Sequence, residues 1–472
     1  MSIRVTAFVS LAAISVALST GCGSSDDGDD DNTVVPPVAD EADGCPAIFA
    51  QSILPTWKVE ISDAEMAKLT DEFLHRDTRV AAGLEEHPLH DAKFTFDDGK
   101  NPPVEVPDAM IRLKGNSSWT QTVQLDANPK MQFVISFNEK SDKGRFMGQR
   151  KVDIDMPRTD RTFLRQRLAL FALRKAGVNA QCGNSARMEI NGKYYGLYAQ
   201  NEHVDKEYLQ RLYGHDDDNG DLWNGGRIIQ TNEMTFTWDR LDAFWKAAHA
   251  QDMTELATLV DLPDSLKEWA AEAVIGDADG YYNGRPNYML YDHPTKGFVW
   301  LPYDLDTVFD QDFLPADASL TYPMCVSRQE DDRRHWAMVL ATPQYLDMYL
   351  SAIATARGTF DVAGMQARVK SWEAQIRHAA DKDEHKPFTM ADHDFSVQLM
   401  HDYMGARAEY VDKFLDCRKN GGADADGDGF DFCNDCNDGA ANVNPGATEV
   451  CNGIDDDCDG LVDDLADGSV CP

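Results

Sequence analysis

The sequence predicts an α+β main domain followed by a small tail rich in cysteine and aspartate. Short alternating runs in the first half predict paired strands, most clearly where Ala186–Ile190 and Tyr194–Ala199 flank the turn residues Asn191 and Gly192. Helical spacing dominates the second half and surrounds another predicted hairpin. At 472 residues the chain has room for one large domain and smaller parts beside it.

Each further element is predicted from its apolar spacing and its flanking turn residues. The helix Thr162–Ala176, for example, carries apolar residues at helical intervals, has Asp160 as a candidate N-cap and ends at Gly177. The other predicted helices are Asp63–Leu74, Asp239–Ala250, Met253–Leu259, Ser265–Ile275, Ala337–Thr355, Ala363–His378 and Phe395–Phe414. The other predicted strands are Trp57–Ile61, Ala92–Phe96, Val104–Leu113, Met131–Phe137, Tyr288–Tyr291 and Gly297–Leu301.

Residues 1–22 are predicted to be a targeting signal, and residues 23–44 a disordered acidic tether. The apolar run Val5–Leu18 is too short to span a bilayer, and small residues lead from it to Cys22. This ending resembles a bacterial lipobox, although Leu18 lies one position further from the cysteine than that pattern prefers. We therefore expect an exported lipoprotein, lipidated at Cys22 and held at the cell envelope or surface. The alternative is an ordinary secretion signal.

The distribution of charge excludes two classes of partner. The chain has a net charge of −37, with eight acidic and no basic residues in Cys22–Gly44 and fourteen acidic and two basic residues in Cys417–Pro472. The domain between them is moderately acidic, so we expect no nucleic-acid partner and membrane contact only through the lipid anchor. Export favours disulfides among the cysteines, but the sequence leaves their pairing open.

The stretch Gly276–Asp306 holds the strongest candidate for a catalytic site. Asp279 lies in a loop, Asn287 precedes the first strand of the predicted hairpin, and Asp304 and Asp306 follow its second strand. A tight hairpin draws these side chains together. Phosphoryl transfer needs such a set: a base for the acceptor hydroxyl, and an amide and a carboxylate that hold metal on the phosphates. The alternative is a surface hairpin whose Asp and Asn residues only form turns.

This stretch resembles the active-site segment of the CotH kinase family, the secreted kinase-like proteins named after a spore-coat protein. The matching strings are GDADGYYNGRPNYMLY and PYDLD, together with RLKGNSSW at Arg112–Trp119 and EINGKYYGLYAQNEHVDKEYL further on. The resemblance covers about Trp57–Tyr410 and implies a two-lobed, protein-kinase-like domain, to which we assign residues 45–416. The sequence departs from the family at Asp277, where Asn is usual, and at Tyr303, where Trp is usual.

The resemblance implies an Mg²⁺-dependent protein kinase that binds ATP between its lobes and phosphorylates an unidentified protein. Asp279 is then the catalytic base, and the Mg²⁺ ligands are Asn287, Asp304 and Asp306. Asn283 is a second candidate for the amide ligand, and the place of Asn287 in the string NYMLY favours Asn287. The residues implied in nucleotide binding are Lys114, Gly115, Ser117, Ser118, Lys130 and Glu202. Because ATP is scarce outside the cytoplasm, the competing hypothesis is an inactive surface scaffold or adhesion protein that keeps this fold.

The tail, residues 417–472, has the spacing of calcium-binding loops. Its first loop reads Asp-x-Asp-x-Asp-Gly with a further Asp as the twelfth residue, which is the spacing of an EF-hand loop without the helical flanks. A second copy of the core follows. The predicted Ca²⁺ ligands are Asp424, Asp426, Asp428, Asp435, Asp455, Asp457 and Asp459.

The tail also resembles the MopE-like metal-binding repeat found at the ends of myxobacterial surface proteins. Hard carboxylate ligands favour Ca²⁺ over copper or zinc. Two alternatives remain at this point, a disordered acidic tail and a zinc site at Cys433 and Cys436. We prefer disulfides for these cysteines because the chain is expected to be exported.

Overall fold

The computed structural model describes residues 44–156, 158–321, 334–458 and 462–463. Cys22, the predicted signal and nearly all of the predicted tether lie outside the described residues, and so does the predicted calcium ligand Asp459. None of the described helices combines the length and the apolar composition that crossing a membrane requires. Within the described residues the structure contains thirteen strands and eleven α-helices, and the predicted α+β class is confirmed.

One lobe, the sheet lobe, is a nine-stranded sheet with two helices. Its strands are β1 (Thr56–Glu60), β2 (His90–Asp91), β3 (Lys93–Asp97), β4 (Val104–Val106), β5 (Met110–Leu113), β6 (Phe133–Ser136), β7 (Lys151–Asp155), β8 (Gly183–Ile190) and β9 (Lys193–Glu202). Its helices are α1 (Asp63–Ala81) and α2 (Ser117–Leu125). The strand order is β2-β5-β6-β7-β9-β8-β1-β3-β4, and only the pair β1 and β8 is parallel. Side chains such as Trp57, Phe133 and Tyr198 form its own apolar core.

The second lobe, the helical lobe, contains a small sheet of order β11-β10-β12-β13, with β10 (Asp221–Asn224), β11 (Ile228–Ile229), β12 (Tyr288–His293) and β13 (Gly297–Pro302). Its helices are α3 (Arg165–Lys175), α4 (Lys206–Tyr213), α5 (Asp239–His249), α6 (Met253–Leu259), α7 (Leu262–Ile275), α8 (Arg334–Ala341), α9 (Pro343–Thr359), α10 (Val362–Asp381) and α11 (Met390–Asn420). Most of these helices share a second core, in which Leu266, Trp269 and Trp372 are buried. A third, smaller cluster packs α4 against the small sheet. Each lobe thus has its own main core, which agrees with the predicted two-lobed domain.

Helix α7 delivers the chain to the candidate site. The side chain of Asp261 caps it by accepting a hydrogen bond from the backbone N–H of Asp264 at 3.3 Å, and Pro263 follows in the first turn, where its missing N–H costs nothing. The helix ends at Gly276, whose φ of +72° favours glycine. A loop then leads from residue 277 to 287 and into the hairpin of β12 and β13.

Two predicted elements are interrupted in the structure, and both interruptions have local causes. The predicted helix Ala337–Thr355 is two helices, α8 and α9, because Pro343 cannot donate the next helical hydrogen bond and instead opens α9. The predicted strand Val104–Leu113 is broken into β4 and β5 around Asp108, whose φ of +58° is incompatible with an extended strand. The elements that the sequence did not predict are α2, α4, β2, β7, β10 and β11.

Candidate functional site

The loop after α7 and the hairpin β12–β13 bring three predicted site residues together. The backbone N–H of Asn287 donates to the carbonyl oxygen of Asp279 at 3.3 Å. The side-chain Nδ2 of Asn287 donates to the carbonyl oxygen of Asp304 at 3.4 Å. Because β12 and β13 are neighbours in register, with Tyr288 opposite Pro302, the residues that flank the hairpin must meet at one end of it. Asp279, Asn287 and Asp304 therefore form one group, as the spacing predicts.

Asp304 has an unusual backbone and an unusual electrostatic environment. Its φ of +58° lies in the left-handed region, which Asp tolerates better than most residues and which is common at functional sites. The side chain is exposed, yet the protein atoms around it displace enough water to raise the pKa of Asp304 to about 6, with Asp155 adding to the effect. Burial also raises the pKa of Asp306, whose Oδ2 accepts a hydrogen bond from Thr159 Oγ1 at 2.6 Å.

Asp279 is half exposed and lies at the open side of this group. Its side chain retains 42% of its exposure, and Arg285 Nε lies 3.9 Å from its Oδ1. Burial raises the pKa of Asp279, and Arg285 only partly opposes that shift. A carboxylate with a raised pKa that still reaches solvent suits a general base, because it is more basic than an ordinary Asp and accessible to an acceptor hydroxyl.

Strand β7 adds two acidic residues to the site that the sequence did not predict. Lys114 Nζ lies 3.0 Å from Asp153 Oδ2 and also pairs with Asp155. Asn201 Nδ2 donates to Asp155 Oδ2 at 2.9 Å, and His203 Nδ1 lies 2.6 Å from Asp153 Oδ1. The two carboxylates thus hold Lys114 in place beside the candidate site, from a strand that the sequence did not predict.

The positive charge of Lys114 does not cancel the negative charges of the carboxylates around it. Burial disfavours the ammonium group of Lys114, but Asp153 and Asp155 outweigh this and raise its pKa. The pKa of Asp153 is held low despite burial by His203 and Lys114, whereas burial raises the pKa of Asp155. Asp155 and Asp153 raise the pKa of Asp304 although Lys114 lowers it, so negative charge beside Asp304 is left uncompensated. A divalent cation would compensate it.

The Lys-Gly-Asn-Ser segment connects Lys114 to the start of α2. Gly115 has a φ of +101°, and a Cβ atom there would lie 1.8 Å from Gln132 Nε2, so the sequence needs glycine at this turn. Gln132 Nε2 in turn donates to Ser118 Oγ at 2.7 Å. Ser117 is the first residue of α2, whose N-cap side chain makes no capping hydrogen bond. The first N–H groups of α2 are therefore placed to bind an anion such as a phosphate.

Lys130 and Glu202 lie elsewhere, so the structure does not support the nucleotide-binding roles predicted for them. Lys130 retains 1% of its exposure, pairs with Asp383 Oδ2 at 2.5 Å and donates to the carbonyl oxygen of Leu197 at 2.6 Å. Glu202 is bound by Arg211, with Nε 2.8 Å from its Oε1. Both side chains are buried in internal ion pairs, and Lys114 is the lysine that lies beside Asp304.

The first tail loop gathers the carboxylates that the sequence predicts. Asp426, Asp428 and Asp435 form one cluster, and Asp424 and Asp426 form another with Asp438, which the sequence did not single out; within each cluster the ligand oxygens lie within 4.8 Å of one another. One oxygen each of Asp426, Asp428 and Asp435 is buried and has no hydrogen-bond partner within the described structure. Burial and the neighbouring carboxylates raise the pKa of Asp435.

The cysteines of the tail form disulfides, as we preferred. Cys417 pairs with Cys433 and Cys436 with Cys458, so Cys433 and Cys436 are not zinc ligands. Cys417 lies in the last turns of α11, so the first disulfide ties the tail to the helical lobe. In the second repeat, the loop is organised by Glu449. Its carboxylate accepts hydrogen bonds from the backbone N–H groups of residues 456, 457 and 463. The predicted ligands Asp455 and Asp457 lie in that loop.

Comparisons with known proteins agree with this division. A model of the CotH kinase protein family matches residues 111–411, and a model of a MopE-type metal-binding motif matches residues 435–464. The inner spore coat protein H of Bacillus subtilis (strain 168) is 22% identical over 311 residues, which cover 61% of this chain and 83% of that protein. Among solved structures, the Shewanella oneidensis MR-1 complex of HipA, HipB and operator DNA contains a chain that matches 69% of this chain over 78% of its own length, with 13% identity and a TM-score of 0.28. That TM-score is too low to support an inference about this chain.

Proposed function

The chain belongs to the CotH kinase family, and we propose that it is an exported protein kinase that transfers phosphate from ATP to a hydroxyl group of a protein. The observation that carries the proposal is the meeting of Asp279, Asn287 and Asp304 at one end of a hairpin, beside Lys114. This set contains a base, an amide oxygen, a carboxylate and a cation, which are the parts that phosphoryl transfer uses.

Each residue has a role that its position supports. Asn287, Asp304 and Asp306 would hold Mg²⁺, which shields the phosphates and bridges them to the protein. Lys114 and the first N–H groups of α2 would bind the phosphates, while Asp155 keeps Lys114 in place. Asp279 would accept the proton of the acceptor hydroxyl as the new bond to phosphorus forms.

Export is a further part of the proposal, and the disulfides support it. Three pairs are described, Cys45–Cys182, Cys417–Cys433 and Cys436–Cys458. Disulfides form and persist in oxidising compartments outside the cytoplasm. Together with the lipobox-like ending at Cys22, they favour a kinase held at the cell envelope by a lipid anchor.

Nucleotide binding by the Asp304→Asn variant tests the kinase proposal. The change keeps the size of the side chain and removes the charge that a metal would bridge to the phosphates. We expect Mg²⁺-dependent binding of ATP to be lost, measured by titration calorimetry on the full chain with and without Mg²⁺. Asp347→Asn, a change of an exposed residue on α9, is the control and should bind as the unaltered protein does. Failure of the unaltered chain to bind ATP would favour the inactive scaffold.

The same binding should depend on pH. A metal binds only the carboxylate form, and the pKa of Asp304 is raised to about 6. Affinity for Mg²⁺ and ATP should therefore decrease as the pH falls through about 6, because Asp304 becomes protonated. An affinity that stays constant as the pH falls below about 6 would contradict the assignment of Asp304 as a metal ligand.

We also propose that the first tail loop binds Ca²⁺. The supporting observation is the set of unpartnered buried oxygens on Asp426, Asp428 and Asp435, because a buried carboxylate oxygen without a partner is costly and a hard cation satisfies several at once. Asp424 shapes the loop by accepting hydrogen bonds from the backbone N–H groups of Gly427 at 2.6 Å and Gly429 at 2.9 Å.

Replacing Asp435 with Asn should remove one calcium-binding event from the full chain. Asp435 is the buried member of the cluster, so its loss leaves the remaining carboxylates too few and too widely exposed to compete with water. Titration calorimetry with Ca²⁺ would measure the effect, with Mg²⁺ expected to bind poorly because it demands a tighter octahedron. Asp347→Asn again serves as the control. Equal calcium binding by the Asp435→Asn variant would contradict the site.

A further inference from the structure

Three carboxyl groups are buried directly behind the Asp279 loop, and neither the proposed reaction nor the tail site uses them. Glu268 and Glu272 lie one turn apart on α7, and Asp277 follows the end of that helix. Their exposures are 1%, 0% and 0%. Ionisable residues are almost never buried to this degree unless they are paired. We call these three residues the buried acidic cluster.

The cluster closes around Gly280. A Cβ atom on Gly280 would lie 2.6 Å from both Glu272 Oε2 and Asp277 Oδ2, so these two oxygens are separated by no more than twice that distance. The carboxyls of Glu268 and Glu272 also approach each other, as expected for side chains one turn apart. Glu272 and Asp277 therefore share one small volume beside Gly280, and Glu268 adjoins it through its contact with Glu272.

Most of the oxygens in the cluster accept no hydrogen bond from a residue outside it within the described structure. These are both carboxylate oxygens of Glu268, Oε1 of Glu272 and Oδ2 of Asp277. Burial is the main cause of the raised pKa of all three groups, and no Lys, Arg or His among the described residues contributes to lowering it. Each unpartnered buried oxygen costs about 1–3 kcal/mol, and a buried unpaired charge costs more.

A shared proton resolves only part of this arrangement. It lets the carboxyls of Glu268 and Glu272 hydrogen-bond to each other, but the second oxygen of Glu268 and Oδ2 of Asp277 stay without a partner. One cation satisfies several oxygens and compensates the charge at the same time. We propose that Glu268, Glu272 and Asp277 bind a divalent cation with oxygen ligands, of the Ca²⁺ or Mg²⁺ class, as a structural site behind the catalytic loop.

The residues around the buried acidic cluster fit a structural cation site. The hydroxyl group of Tyr403, on α11, is also buried without a partner and interacts with Asp277. Asp277 Oδ1 accepts a hydrogen bond from the backbone N–H of Asp279 at 3.1 Å. A cation on Asp277 therefore fixes the residue that holds the backbone of Asp279, and it links α7, the loop and α11. The site stands whether or not the chain is an active kinase.

The metal content of the purified full chain tests the proposal. Glu268→Gln/Glu272→Gln keeps the shapes of both side chains and should remove one divalent ion per chain, measured by mass spectrometry of the bound metals. Asp435→Asn should remove a different ion, so combining the changes should remove both. The exposed Glu409→Gln, on α11, is the control and should lose none. The readout is metal content, so it does not depend on kinase activity.

A second variant and a second measurement keep the test decisive if the double variant does not fold. Asp277→Asn preserves the acceptor for the N–H of Asp279 and should also lose the ion while keeping the circular dichroism of the unaltered chain. Tb³⁺ bound at the cluster should luminesce on excitation of the buried Trp269, which follows Glu268 in sequence. Unchanged metal content in both variants, with an infrared band of protonated carboxylic acids at neutral pH, would overturn the proposal in favour of an acid network.

Discussion

Replacing Asp279 with Asn should slow phosphoryl transfer by about 10²–10⁴-fold while leaving the affinity for ATP and Mg²⁺ nearly unchanged. The amide keeps the size of the side chain but cannot accept the proton of the acceptor hydroxyl. Binding should survive because the phosphates and metal are held by other residues, Lys114 and Asp304 among them. Labelled ATP with a generic protein acceptor, and calorimetry for binding, would measure the two effects separately.

This split between rate and affinity distinguishes a base from a metal ligand. Asp304→Asn should lose binding and transfer together, whereas Asp279→Asn should lose transfer alone. Because burial raises the pKa of Asp279, the unaltered protein should also lose activity as the pH falls through that pKa and the carboxylate is protonated. Transfer at the rate of the unaltered protein in Asp279→Asn would show that another group accepts the proton. Asp347→Asn should match the unaltered protein in both assays.

The parts of the site that the sequence predicted are those set by local spacing. Asp279, Asn287 and Asp304 are at most 25 residues apart, and one helix, one loop and one hairpin place them. The first tail loop is similar, because its Asp residues repeat at intervals that a single turn brings together. In both regions, turn residues and short strands carry enough information to fix neighbours in space.

The parts that the sequence did not predict depend on contacts between distant segments. Asp153 and Asp155 lie on β7, whose sequence KVDID places charges where a buried strand normally carries apolar residues. Those charges are tolerated because Lys114 and His203 meet them, from positions 39 and 50 residues away. No local pattern reveals such partners. A charged residue in an alternating run is therefore compatible with both a loop and a buried ion pair until the sheet is known.

Lys130 is a second residue whose role depends on a distant partner, and here the local sequence led to a prediction that the structure does not support. The resemblance to the CotH family implied a nucleotide-binding role for it, yet its partner is Asp383, 253 residues further on. Asp383 lies between α10 and α11, in the helical lobe, while Lys130 lies just before β6, in the sheet lobe. The pair therefore joins the two lobes. Lys130 Nζ also lies 4.2 Å from the ring centroid of Tyr198, which encloses the ammonium group in apolar surroundings.

Replacing Lys130 with Met should destabilise the main domain by about 3–5 kcal/mol, because it leaves a buried carboxylate without its cation. Asp383 would still accept hydrogen bonds from the N–H groups of Leu197 and His385, both at 2.9 Å, but its charge would be uncompensated. Urea unfolding followed by tryptophan fluorescence would measure the loss. All nine tryptophans precede the tail, so the signal reports the main domain alone.

The double variant Lys130→Met/Asp383→Asn separates two contributions to the loss of stability. One is the cost of a buried carboxylate without a cation, and the other is the stabilisation that the ion pair itself provides. The amide oxygen of Asn keeps an acceptor for one of the two backbone N–H groups, and with neither charge present the stability should recover part of what the single change loses. Lys382→Met is the matched control, since Lys382 is 63% exposed and 3.8 Å from its partner Asp381, and it should change the stability by less than about 1 kcal/mol. If Lys130→Met costs no more than this control, the pair does not hold the lobes together. If the double variant is as unstable as the single one, the ammonium group itself supplies the stability, through Leu197 and Tyr198, and the charge of Asp383 is secondary.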